Sequence, residues 1–228
     1  MSRVFIMLAA ALMGAPAFAD GRAVIESPTP EGMHELEVSW DGEGRVRFDP
    51  GNADAYMLVR DGVLYAVTSA GGMGPQVINL SSIEGMAGAG ASAGPDIGAE
   101  IMARRAEAVV SLEPTGRTET LADMEGELYE VTWRDAAGET HVDNAVLTDA
   151  PLALELDQAF AALLENTTEG EPDARQVEVR ERGLAILRYA DSYTVLSAAD
   201  AGSPPGDFEL PAEPMDLQSM MQGMGPNR

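Results

Sequence analysis

The chain has 228 residues, a formal net charge of −24 and no cysteine. Its basic side chains are all arginine, 14 against 38 acidic ones. Such a surface repels nucleic acid and anionic head groups, while absent cysteine leaves folding to core burial. The excess charge is read as a solvated acidic face, with a cationic partner as the alternative.

The chain opens MSRVFIMLAAALMGAPAFAD. Arg3 precedes an apolar run of about ten residues, half of the roughly 20 that span a bilayer. Ala17-Phe18-Ala19 is then an A-x-A cleavage motif. Residues 1–19 are therefore expected to be a secretory signal peptide, set aside from the fold. In a bacterium the remainder is expected in the periplasm, soluble and without stable membrane insertion.

Residues 20–33 are rich in Gly and Pro and read as loose. In HELEVSW, His34, Leu36, Val38 and Trp40 alternate with polar residues, the mark of a strand with one buried face. GRVRF and AYMLV continue as strands, and the Asp61-Gly62 pair turns the chain into VLYAVT. QVINL follows. GMAGAGASAGP (85–95) reads as a mobile loop and 96–107 as a short helix capped by Asp96.

The next stretch, AVVSLEPTGRTETLADMEGELYEVTW, makes a hairpin with Tyr129, Val131 and Trp133 on one side. ETHVDNAVLTD adds another antiparallel strand, so the pattern is a meander, not a set of βαβ units. The period then shifts. Asp149 can cap, Pro151 suits a first helical turn, and Leu152, Leu156, Phe160 and Leu163 fall at helical spacing. EGEPDAR reads as a polar connector, GLAILRYA and SYTVLSAA as late strands, and FELPAEP as a segment along an edge. The expected organisation is one β-rich domain over 20–212 with a flexible Met-rich tail over 213–228.

The run TGRTETLADMEGELYEVTW resembles the T-G…A-G…Y-x-V block of a periplasmic protein family related to the lipoprotein-carrier (LolA-like) half-barrels. AYMLVRDGVLYAVTSAGGMGPQVINL is similar to that family's strand, D-G-x-x-Y hairpin and following strand, and FELPAEP to its F-x-L-P-A ending. The resemblance spans about residues 34–212. It implies an α+β fold: a strongly curved antiparallel β-sheet, a half-barrel, with one or two helices packed on its concave face. It also implies a hollow that takes acyl chains, as in characterised relatives.

Motifs for chemistry are sparse. There is no G-x-S-x-G, and the 49–54 turn lacks the spacing and closing Glu of a calcium loop. The two histidines, His34 and His141, lie far apart. The expected function is a non-enzymatic carrier for a hydrophobic ligand, a lipid or lipoprotein-like acyl chain, with no cofactor. Its face would comprise Leu36, Val38, Trp40, Tyr129, Val131 and Trp133, with Leu156 and Phe160 on the covering helix. One alternative is an envelope interaction or sensor protein that engages another protein and has no small-molecule ligand. A lesser one is Cu(I) on the soft thioethers of Met215, Met220, Met221 and Met224.

Overall fold

A computed structural model describes residues 20–29, 32–51, 55–69, 74–80, 105–167, 172–200 and 207–215. The expectations for the signal peptide, the 85–95 loop, most of the 96–107 helix and the tail beyond Met215 lie outside these residues.

Eleven strands form one open antiparallel sheet. They are β1 (Gly21–Thr29), β2 (Gly32–Trp40), β3 (Val46–Asp49), β4 (Ala55–Arg60), β5 (Val63–Thr68), β6 (Gln76–Asn79), β7 (Ala106–Leu121), β8 (Met124–Asp135), β9 (Thr140–Thr148), β10 (Ala185–Tyr189) and β11 (Tyr193–Ala199). The spatial order is β6-β5-β4-β3-β2-β1-β11-β10-β9-β8-β7. Two consecutive meanders, β1 to β6 and β7 to β11, are thus joined where β1 pairs with β11. Helices α1 (Pro151–Thr167) and α2 (Ala174–Glu181) complete the described fold.

Several local rules hold. At Asp61-Gly62 both residues have positive φ, 54° and 71°, the geometry of a tight hairpin between β4 and β5. The β7–β8 hairpin turns on Ala122 and Asp123 (φ 50° and 61°), so β8 starts at Met124, earlier than the acidic turn over 123–126 implied.

Three expectations are corrected. Residues 21–29 are not loose: they form β1, paired along its length with β2 and also with β11. The signal lay in Ala23 and Ile25, both buried, but the flanking Gly and Pro outweighed it. The polar 169–175 connector gives way at Ala174 to α2, whose N-cap Asp173 accepts the Arg175 amide N–H at 2.8 Å. Its eight residues hold too few apolar positions to show a period. Ala106 and Glu107, expected to end a helix, begin β7.

The sheet buries side chains on both faces. On β9, Val146 joins the core under α1, while its neighbours Ala145 and Leu147 join the core under α2. On β10, Ala185 and Leu187 point one way and Ile186 the other. Since side chains alternate along a strand, α1 and α2 cover opposite faces. Of the one or two helices expected on one face, the second, α2, packs on the opposite face, and the α1 face carries a single described helix. Gly126 on β8 permits close packing there, because a Cβ would meet Val146 Cγ1 at 2.6 Å and Leu187 Cδ1 at 3.2 Å.

Candidate functional site

The α1 face is built from Ala23, Ile25, Val38, Trp40, Val46, Phe48, Val59 and Leu64, which continue onto Leu128, Val146 and Leu187. α1 meets this floor through Ala153, Leu156 and Ala159, all essentially inaccessible. Small residues at two of these positions let the helix sit low on the sheet. The Leu152/Leu156/Phe160/Leu163 stripe is thus rotated in practice, with Leu152, Phe160 and Leu163 half-buried at the margins. At the helix entry Thr148, not Asp149, supplies the side-chain contact: its hydroxyl accepts the Ala150 N–H at 3.2 Å and donates to the Glu125 carbonyl at 2.8 Å.

Polar and aromatic contacts hold α1 in register. Trp40 Nε1 donates to Glu155 Oε2 at 3.1 Å. Phe160 packs on Phe48, ring centroids 5.6 Å apart, and edge-on to Tyr193 at 6.1 Å. Burial pushes the Tyr193 phenol well above its usual range, and nearby Asp157 pushes it the same way. Asp157 in turn accepts from Arg180 of α2, tying the two helices together.

The other face holds a different site. Tyr129, Val131 and Trp133 point here, with Leu112, Ala145, Leu147 and Val179 of α2. The Arg175 guanidinium lies 4.2 Å from the Trp133 ring and 5.1 Å from the Tyr189 ring. Asp143 Oδ2 accepts from Trp133 Nε1 at 2.7 Å and from the Tyr189 hydroxyl at 2.8 Å. Asp173 accepts from Arg175 Nε and Nη2, at 2.9 and 2.6 Å, and from the Ala106 N–H at 3.1 Å. Burial alone would raise the Asp173 carboxyl and lower the Arg175 guanidinium. Their mutual hydrogen bonds and charge attraction reverse both, so each stays ionised. Burial pushes the Tyr189 phenol far up, which keeps it a hydrogen-bond donor. The network fastens α2 and its cap to β7 and β10.

The sequence-predicted ligand residues therefore separate. Leu36, Val38, Trp40, Leu156 and Phe160 come together on the α1 face, while Tyr129, Val131 and Trp133 lie on the α2 face. Alternation placed each set on one side of its own strand but could not relate the two strands, which are five places apart in the sheet. His34 follows the apolar alternation of β2 but is exposed, because it sits near the free end of the β1–β2 hairpin. Met215 is anchored: its N–H donates to the Val77 carbonyl at 2.7 Å and its carbonyl accepts from the Asn79 N–H at 3.2 Å, a one-residue parallel bridge to β6. Met220, Met221 and Met224 lie outside the described residues.

Two hollows open away from α1. A polar cleft of about 110 Å³ is lined by Arg22, Glu37, Ser39, Arg47, Asp49 and Asp207. Its guanidiniums are matched within it, Arg22 to Glu37 and Arg47 to Asp49. An open groove between β7 and α2 has Val109, Ala174 and Val177 as its floor, with Glu107 and Glu178 at the rim.

No protein-family model and no curated protein matches the chain. Among the described residues no helix is long and apolar enough to cross a membrane.

Proposed function

We propose that this chain is an exported, non-catalytic protein of the half-barrel carrier kind, which holds an acyl chain or similar apolar ligand on the α1 face. The supporting observation is the margin of that face. Beside an inaccessible floor, Leu36, Met57, Phe160, Leu163 and Tyr193 remain only half-buried around α1. Apolar side chains in this state are the contacts from which a hydrophobic site is built. A bend of the sheet fits the approach of β7 to β11: the two stand four places apart, about 19 Å in a flat sheet, yet Cα atoms of the two come within 8 Å of one another. Export fits the Arg3, apolar-run and A-x-A pattern of residues 1–19.

On this reading Leu36 and Phe160 touch the ligand first. Val38, Trp40 and Leu156 become accessible only when α1 lifts, which breaks the Trp40–Glu155 and Arg180–Asp157 contacts. The test is a titration with a fluorescent fatty acid, paired with mass spectrometry of organic extracts from protein purified without detergent. Saturable binding is expected. Leu36→Gln and Phe160→Gln weaken it about tenfold or more, while Val142→Gln, at an exposed site on β9, leaves it unchanged. Absence of both extracted lipid and saturable binding rejects the carrier reading.

A second reading, an envelope interaction protein without a small-molecule ligand, is favoured by β6. Its main chain already accepts one residue, Met215, as an added parallel strand, and strand addition at a sheet edge is a common mode of peptide recognition. Pull-down from envelope extract that loses its partner on deletion of 213–228 supports this reading; capture that is unchanged rejects it.

A further inference from the structure

The β8–β9 hairpin, on the α2 face, brings together ligand atoms that the network beneath α2 does not use. Asp135 Oδ2 lies 2.8 Å from His141 Nε2, and Asp135 Oδ1 accepts the Glu139 N–H at 2.9 Å. One atom from each of Asp135, Glu139 and His141 falls within 4.8 Å of the others. We propose that this triad binds a divalent transition-metal ion of the zinc class.

The donor set selects the ion. One imidazole nitrogen and two carboxylate oxygens suit Zn²⁺, Ni²⁺ or Cu²⁺, whereas Ca²⁺ requires six to eight oxygens. The geometry is close to what such an ion needs. With bonds of about 2.0–2.2 Å in a tetrahedron, ligand atoms stand roughly 3.4 Å apart. The ion then replaces the hydrogen bond between His141 and Asp135 with a shift of less than about 1 Å, and the fourth position is left to water.

Two further features favour a cation here. The ligands are held in place before binding. The turn is closed by Asp135 N–H to the Glu139 carbonyl (3.1 Å) and Gly138 N–H to the Asp135 carbonyl (3.0 Å), and the imidazole is stacked on Trp133 at 4.3 Å. Trp133 is itself fixed by Asp143 and Arg175. Among the described residues no guanidinium pairs with Asp135 or Glu139, although arginines accompany Asp41, Asp49, Asp157 and Asp173; the partner of Asp135 is the His141 imidazole itself.

The Trp133–His141 stack supplies the test, because Ni²⁺ or Cu²⁺ bound to His141 quenches the adjacent indole. The full chain is titrated with Ni²⁺ while tryptophan fluorescence is followed, and Zn²⁺ is added as competitor. Saturable quenching at micromolar Ni²⁺, reversed by Zn²⁺, is expected. His141→Gln abolishes it, whereas His34→Gln, which alters the only other histidine, retains it. Glu139→Gln replaces an exposed turn residue and so keeps the fold; it weakens binding about tenfold. Quenching that fails to saturate, or that persists unchanged in both His141→Gln and Glu139→Gln, overturns the proposal. The second result would place any bound metal elsewhere, as on the Met-rich tail.

Discussion

Trp40 and Glu155 join the second strand to the covering helix: the buried indole Nε1 donates to the carboxylate at 3.1 Å. The same indole lies across Gly21 of β1, where a Cβ would come within 2.2 Å of Trp40 Cζ2. Gly21 is therefore required for space rather than for backbone freedom. Gly21→Ala is expected to cost about 2 kcal/mol by overpacking. In a Trp40→Phe background the smaller ring relieves the clash, so urea denaturation of the double-mutant cycle should show a coupling of about 1 kcal/mol or more. Additive losses would contradict the contact.

Both tryptophans are shielded, Trp40 at 0% and Trp133 at 5% exposure, although they belong to opposite faces. Iodide should therefore quench little of the native fluorescence, and strong quenching should appear only on unfolding. Trp133→Phe should leave the iodide response of the remaining tryptophan low; a steep native response there would mean α1 does not cover Trp40.

Arg175 is held between the rings of Trp133 and Tyr189 and paired with Asp173. Removing one partner leaves Asp173 charged and only 18% exposed without its counter-ion. Arg175→Met should cost about 3 kcal/mol in chemical denaturation. Arg175→Lys should recover only part of that, because an ammonium cannot reproduce the planar stack and the fork of donors.

The pH dependence follows from Asp173, whose folded carboxyl sits below its ordinary 3.8. Burial raises it, but Arg175 and the Ala106 and Arg175 amides outweigh burial. With the folded value depressed, the stabilisation is complete above 3.8 and is lost as pH falls through the folded value. Asp173→Asn should be less stable than the native chain near pH 7, by about 2 kcal/mol. That gap should narrow below pH 4. A gap that stays constant down to pH 2 would show that the charge of Asp173 contributes nothing.

Strand positions were largely legible because alternation is local. Val38 and Trp40 are buried as their spacing implies, and so are Val131 and Trp133. Turn chemistry was legible for the same reason at Asp61-Gly62. The network of Asp143, Asp173, Arg175 and Tyr189 was not. Its members come from β9, from α2 with its cap, and from β10, and acidic residues are too common in this chain for any one to stand out.

What the amino-acid order determined by itself is therefore a β-rich chain of paired strands with one long amphipathic helix, since period, turn residues and cap residues act over a few positions. Which face each strand turns to which helix was settled only by tertiary structure. The β1–β11 pairing joins the two meanders and sets their relative facing, and that pairing links residues more than 150 positions apart. It puts Trp40 under α1 and Trp133 under α2, because a sheet has two sides and a local pattern does not say which is which.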